Sequence, residues 1–326
     1  MKFGVHMPTG SPLGTPDNLV VLATKAEALG FDLIAAGDHI VIPEEIESRY
    51  PYTRSRQYTR ARRSRVGGGS GEWLEQMTLL SFLAAHTSRV RLLTSVMVIP
   101  HRSPVVAAKS LTTIDVLSKG RLILGCGVGW MREEFEAIGA PSFDERGAIT
   151  DEYIRAYKEL WTSDAPTFDG KYCQFSNLSF EPKPVQTPHP PIWIGGESTA
   201  ALRRVGQLGD GWEPGNNHPA YPFETPEDIA IGLAKIRVFA EEAGRDPSKI
   251  TVAYHNGVEW NAKEEKILPN GRRRSFTGTP SQIAEDIQAF EEVGVQHIVF
   301  FMRGSTMEEA IDYMESIALH GINAKV

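Results

Sequence analysis

The chain predicts an α/β fold, a (β/α)8 TIM barrel with one insertion after strand two and another after strand four. Three observations carry that expectation. Eight short apolar or β-branched runs alternate with amphipathic segments, the order of a parallel sheet whose connections are helices. The runs are apolar almost throughout, as strands covered on both faces must be. No Pro/Gly/Ser-rich linker divides the 326 residues, so residues 1–326 are expected to form a single domain. A doubly wound sheet is the competing arrangement, and the count of eight units favours the barrel.

The expected strands are Phe3 to Met7, Leu33 to Ala36, Val90 to Val98, Leu122 to Cys126, Ile192 to Ile194, Asp210 to Trp212, Ile250 to Tyr254 and His297 to Met302. Helical patterns fall between and after them at Pro16 to Leu29, Glu72 to His86, Pro104 to Leu117, Ala200 to Leu208, Pro226 to Ala243, Pro280 to Val293 and Thr306 to Leu319. Thr15-Pro16, Ser103-Pro104, Thr225-Pro226 and Thr279-Pro280 each set a hydroxyl before a proline suited to the first helical position. Gly30, Gly244 and Gly294 are expected to stop helices. The insertions run from about Val41 to Gly71 and from about Pro141 to Pro190, the second with a helix pattern and a hairpin at Phe168 to Phe175. Long loops on the ligand face of a barrel serve as lids or walls.

With 34 Lys+Arg against 41 Asp+Glu, the net charge of −7 carries no footprint for nucleic acid. The two cysteines, Cys126 and Cys173, have no metal-like spacing and suggest neither a disulfide framework nor a thiolate zinc site. A reducing cytoplasm is the expected location. No apolar stretch approaches the roughly 20 residues of a membrane span, and the N-terminal run is too short for a signal peptide.

Candidate chemistry lies at strand ends. Gly125-Cys-Gly-Val-Gly-Trp130 follows strand four; its glycines either let backbone N–H groups approach an anion or a planar ring, or only permit a tight turn, and Trp130 favours ligand stacking. The spacing is not that of a dinucleotide fingerprint. Gly195-Gly196-Glu197-Ser198 follows strand five and opens a helix, where N–H groups suit a phosphate or Ser198 acts as a cap. Asp210-Gly211-Trp212 repeats the glycine-plus-aromatic pattern. Asp38-His39, just past strand two, supplies an imidazole for proton transfer, with a carboxylate to orient it or a purely structural role as the alternative. His6 ends strand one without an HxH pattern, which argues against a metal-dependent hydrolase, and Cys126 reads as buried packing. Seven arginines between Arg49 and Arg65, interleaved with Tyr50, Tyr52 and Tyr58, suit a solvated lid, an anion contact or nucleic acid, and the acidic background favours the lid. Arg272-Arg273-Arg274 is equally open.

The stretches VIPHRSP (98 to 104), AKSLTTIDVLSKGRLILGCGVGW (108 to 130), PKPVQTPHPPIWIGG (182 to 196) and LGDGWEP (208 to 214) together resemble the luciferase-like monooxygenase superfamily, in particular its probable F420-dependent oxidoreductases. The resemblance runs from about residue 1 to residue 320. It implies a TIM barrel, usually a homodimer, that holds the deazaflavin F420 or, alternatively, FMN at the C-terminal face. The ring would lie against a bulge matching Ser95-Val96-Met97, often with a non-prolyl cis peptide. Asp38-His39 matches the family's Asp-His pair, with His39 as proton partner and Asp38 as its orienter near the cofactor. Val128-Gly129 and Gly195-Gly196 match cofactor-contacting loops; Trp130, Glu197, Ser198 and Trp212 extend that expected set. Trp130 stands where sugar-phosphate dehydrogenases of the superfamily carry an acid, which argues against that substrate. The arginine-rich loop could pair with the polyglutamyl tail of F420, whose carboxylates FMN lacks. The implied activity is hydride transfer between F420 and a small organic substrate; the alternatives are an FMN-dependent monooxygenase and a non-enzymatic protein that only binds such a cofactor.

Overall fold

In a computed structural model, eight parallel strands close into a barrel: β1 (Lys2–His6), β2 (Leu33–Ala36), β3 (Arg91–Val98), β4 (Leu122–Gly127), β5 (Ile192–Gly195), β6 (Gly211–Glu213), β7 (Thr251–Asn256) and β8 (His297–Phe301). Each strand pairs with its sequence neighbour, and β8 returns to β1. The structure describes residues 1–323 except 11, 53–60, 63–71, 217, 222, 258, 259, 269 and 270; of residues 61 and 62 it describes only the backbone. Arg54, Arg56, Tyr58, Arg60, Arg63 and Arg65 therefore lie outside the described residues.

Period-two alternation divides the strand residues between two cores. Leu33, Ala35, Leu93, Ile123, Trp193, Ala253 and Val299 face inward and form a cluster of their own inside the barrel. Their neighbours, such as Ile34, Leu92, Leu124, Ile194, Val252 and Ile298, face outward into the larger cluster shared with the helices. Two residues further along each strand, the inward positions are His6, Ser95, Glu213, His255 and Phe301, and the glycines Gly37, Gly125 and Gly195. Phe301 apart, the upper inside layer is thus polar or glycine where the lower one is apolar.

The helices are α1 (Pro16–Leu29), α2 (Gln76–His86), α3 (Pro104–Leu117), α4 (Arg132–Ala137), α5 (Arg146–Thr162), α6 (Thr199–Leu208), α7 (Pro226–Glu242), α8 (Pro280–Glu292) and α9 (Met307–Ile317). Thr15, Thr225 and Thr279 accept hydrogen bonds from backbone N–H groups three residues on, as their hydroxyl-proline pairs predict. Ser103 precedes Pro104 without a side-chain cap bond. Helix α2 begins four residues later than expected, because Leu74 N–H bonds Thr9 O in an extended segment and Glu75 then caps the helix through Thr78 N–H. Gly30 ends α1 at φ 89°, where a Cβ would be strained.

The stretch after β4 leaves the strand-helix repeat, yet α5 within it fills the fourth helical position, in contact with α3 and α6. The expected hairpin forms at Phe168–Asp169 and Gln174–Phe175. Glu152 on α5 holds its turn by accepting from the N–H groups of Lys171, Tyr172 and Cys173. This hairpin therefore flanks α5, and the expected second wall of the cleft is not built from it. Among the described residues, no helix is long and apolar enough to cross a membrane.

Candidate active site at the C-terminal ends of the strands

Nearly all strand residues are buried, but Gly37, His39, Ser95, Val96, Val128, Gly129, Trp130, Gly195, Gly196 and Ser198 are partly open to solvent. They all lie at the carboxyl ends of β2 to β5, so they line one cleft, and the loops after β4 and β5 converge there. A cavity of about 450 Å3 lies at the other end of the barrel, lined by Lys2, Arg91, Trp193, Thr251 and His297, which start their strands or lie within two residues of the start. Ligand chemistry in parallel barrels belongs to the carboxyl end, so that cavity is not the candidate site.

The floor of the cleft is shaped by one side chain and two glycines. The Ser95-Val96 peptide is cis, and the register with β4 shifts between Thr94 and Met97. Val96 projects across the barrel mouth: a Cβ at Gly195 would lie 2.7 Å from Val96 Cγ1, and one at Gly127 would also collide with Val96. The glycines thus leave room for this bulge, and the bulge presents Val96 to the cleft. Gly129, at φ 83°, turns the next loop tightly against Phe135 and Val98. Arg146 steadies that loop by donating to Gly129 O at 3.2 Å.

His39 stands on the wall. Its Nδ1 lies 2.8 Å from Glu134 Oε2, while Glu134 Oε1 accepts from Ile40 N–H at 2.7 Å. Burial works against ionisation of Glu134, but the His39 hydrogen bond and charge, with His101 and Ile40 N–H, hold its carboxyl below the usual range. A carboxylate at Nδ1 favours the proton there, leaving Nε2 as the acceptor; Nε2 has no hydrogen-bond partner among the described residues. Around the imidazole are Trp73 at 4.9 Å and Trp130 at 6.3 Å, both edge-on, and Tyr50 continues the aromatic wall at 5.0 Å from Trp130.

Asp38 is not the partner of His39. Its carboxylate accepts from Val98 N–H at 2.9 Å and from both Arg102 amino groups at 2.7 and 2.8 Å. Adjacent residues leaving a strand point to opposite sides, so only one of this pair reaches the cleft. Asp38 fixes the β3 end and its following turn, and the orienting role falls to Glu134, delivered by the first turn of α4. Trp212 needs a similar correction. It is fully buried and faces outward against Phe223, and its indole N–H donates to Gly196 O at 3.0 Å. It supports the loop after β5 without reaching the cleft. Ser198 caps α6 through Ala201 N–H, and Thr199 and Ala200 N–H groups have no partner among the described residues. Glu197 accepts from Gly215 N–H, and burial pushes its carboxyl up to about 7.

The described part of the first insertion packs over this wall. Ile42 and Ile46 join Trp130 and Met131 in a small apolar cluster, and Glu133 Oε1 accepts from the N–H groups of Glu47 and Ser48. Tyr52 approaches Glu197 and Glu213, and burial followed by their charges pushes its hydroxyl pKa upward. Of the second arginine run, Arg273 is structural, forming a bidentate pair with Asp286.

The profile of one family matches residues 1–274, under the description luciferase-like monooxygenase. The chain belongs to that family. It is 30% identical over 273 residues to an FMNH(2)-dependent dimethylsulfone monooxygenase of Pseudomonas putida, covering 72% of this chain and 75% of the relative. Among solved structures, an F420-dependent secondary alcohol dehydrogenase in complex with an F420-acetone adduct superimposes with a TM-score of 0.72 at 18% identity, over 98% of both chains. The oxygenating constituent of 3,6-diketocamphane monooxygenase from Pseudomonas putida, in complex with FMN, reaches 0.72 at 14% identity over 100% of this chain and 99% of that one. These structural likenesses show the barrel. Proteins similar to this chain thus include some that use F420 and some that use FMN.

Proposed function

We propose that this protein is an oxidoreductase that holds the deazaflavin F420 on the Val96 bulge and passes a hydride between it and a small organic substrate. The observation that carries the reading is the His39–Glu134 pair, aimed into an aromatic-walled cleft beside a glycine-lined floor. F420 would supply the hydride, and the protein supplies position and electrostatics. The floor of Val96, Gly127 and Gly195 fits a planar ring because the two glycines raise no side chain over it. Thr199 and Ala200 N–H groups, at the positive end of α6, fit a phosphate, and protonation of Glu197 would lessen repulsion there. Trp73, Trp130 and Tyr50 exclude water and favour an apolar substrate face. His39 Nε2 accepts or returns the substrate proton, with Glu134 holding the tautomer and supporting the charge that forms.

An FMN-dependent monooxygenase is the second reading, favoured by the 30% identity to the dimethylsulfone enzyme. Apoprotein mixed with F420 and FMN in competition, then desalted, separates the two by absorbance and mass spectrum of the retained cofactor. The proposal expects F420 to be retained and turnover to persist without oxygen. Retention of FMN with strictly oxygen-dependent turnover would overturn it in favour of the second reading.

A further inference from the structure

The polar upper layer inside the barrel contains a chain that the His39 chemistry does not use. Ser95 Oγ donates to Glu213 Oε2 at 3.0 Å, and Glu213 Oε2 lies 3.0 Å from His255 Nε2. His255 Nδ1 is 3.2 Å from His6 Nε2, and Phe301 stacks on His6 with ring centroids 4.1 Å apart. Four strands β1, β3, β6 and β7 contribute, each through its inward position at the carboxyl end. His6, Glu213 and His255 are 6%, 4% and 7% exposed.

We propose that Ser95, Glu213, His255 and His6 form one proton-binding centre in the floor of the cleft, and that a ring carrying negative charge on its edge is bound there together with one proton. The inference rests on the cofactor reading above.

Two imidazoles nitrogen to nitrogen need a proton between them, and only one. If Glu213 is ionised, it draws a proton onto His255 Nε2; His255 Nδ1 then accepts, and His6 Nε2 must donate. That assignment leaves His6 Nδ1 as the one ring nitrogen of the pair open to a further proton. A second proton on the pair would set two cations 3.2 Å apart, so the rings titrate as a unit. The carboxylate is incompletely met: Glu213 Oε1 and His255 Nε2 are buried without an aligned hydrogen bond among the described residues. Burial, then the His255 charge, pushes the His6 pKa well down.

Arg303, on the loop after β8, donates to Gly257 O at 2.8 Å, two residues past His255. Cys126 on β4 points outward from the barrel, though its thiol feels the Glu213 charge, and Tyr52 from the first insertion feels both Glu197 and Glu213. Phe301 from β8 adds an apolar face, and the glycines of β2, β4 and β5 add no charge. A Cβ at Gly125 would strike Glu213, so the carboxylate lies against the glycine-lined floor itself. An anionic ring edge placed there can be met by the proton of this chain. The deazaflavin chromophore has an acidic ring hydroxyl that can provide such an edge.

The test uses the whole protein labelled with 15N at histidine. Imidazole resonances of His6 and His255 are followed against pH, free and with F420 or FMN, and proton uptake on binding is read by calorimetry in two buffers of different ionisation enthalpy. In the free protein both rings should move together in one joint step; bound F420 should raise that midpoint by about one unit, with net proton uptake at a pH near it. His255→Gln should abolish the uptake while leaving the F420 Kd within roughly threefold to tenfold. Two independent one-proton steps in the free protein would overturn the single centre without any variant. F420 binding with no shift and no uptake would overturn the coupling alone, whereas failure of both cofactors to bind would overturn it together with the cofactor reading.

Discussion

The two ends of the barrel are built from the same strands and follow opposite rules. At the amino end, several charged side chains are consumed by structure. Arg121 donates to Ala84 O, Thr87 O, Thr87 Oγ1, Val90 O and Ser118 O. Asp115 accepts from the backbone N–H groups of Val185 and Gln186, and Glu27 from those of Ser88, Arg89 and Val90. At the carboxyl end, polar groups are held by one partner and left open on the other side, as with His39 on Glu134. The difference teaches where substitutions should cost activity and where they should cost stability.

The largest expected effect is at the open end. His39→Ala should lower single-turnover oxidation or reduction of bound cofactor by roughly 10²–10⁴-fold, the usual range for losing a general acid or base. Its melting temperature should stay within a few degrees. Glu134→Gln should cost roughly tenfold or more, because the ring loses its orienting charge and keeps its nitrogen. Asp38→Asn should act mainly through stability, by loosening Arg102. If Asp38→Asn slowed turnover more than Glu134→Gln at equal stability, the partner assignment made from these distances would fail.

Next comes the floor. Gly195→Ala places a methyl 2.7 Å from Val96 Cγ1, so either Val96 moves or the ring site closes. Cofactor Kd should weaken by roughly tenfold, in the range of overpacking costs. Val96→Ala in the same protein should restore most of it, which a cofactor-binding titration of the double variant checks. An additive double variant would mean that Gly195 is needed for a ligand rather than for Val96.

The fold was legible in the chain because its signals are local. Hydroxyl-proline pairs, stop glycines and apolar runs report on a few residues each, and seven helices and eight strands follow from them. The site was legible only where a residue stood beside a strand end: His39, Val128, Gly129 and Gly195 fall in the cleft. Glu134 was missed as the partner because it lies 95 residues from His39, and Asp38, adjacent in sequence, was the nearer carboxylate. Its one signal was an acid in the first helical turn after the glycine loop. The His6–His255 contact joins residues 249 apart, so neither histidine announced the other. Trp212 misled for a different reason: in a strand of three residues, the face it occupies cannot be read without the register.

At the closed end, Arg121→Met should behave in the reverse sense from His39→Ala. It leaves several carbonyl oxygens without their donor and should lower stability by about 2 kcal/mol, a fall of several degrees in melting temperature. Turnover per folded molecule should match that of the unaltered protein. A loss of turnover without a loss of stability would show that the two ends are coupled.

The smallest expected effect is a pH dependence confined to the closed end. Burial, the largest influence on Glu27, raises its pKa, but the N–H groups of Val90, Arg89 and Ser88 and the Ser88 hydroxyl outweigh it and bring the pKa from 4.5 to about 2. A carboxyl that binds its proton less readily in the folded state stabilises that state above its unfolded pKa. The contribution is then complete above about pH 4.5 and drains away as pH falls towards about 2. Partial exposure of this surface network screens it, so the effect is modest. Glu27→Gln should lower the melting temperature slightly at pH 7 and flatten its decline between pH 4.5 and 2, while the pH profile of turnover stays unchanged. Thermal unfolding of both proteins across that window measures the difference. Parallel curves would place the acid sensitivity elsewhere, among carboxylates such as Glu134 whose partners face the cleft.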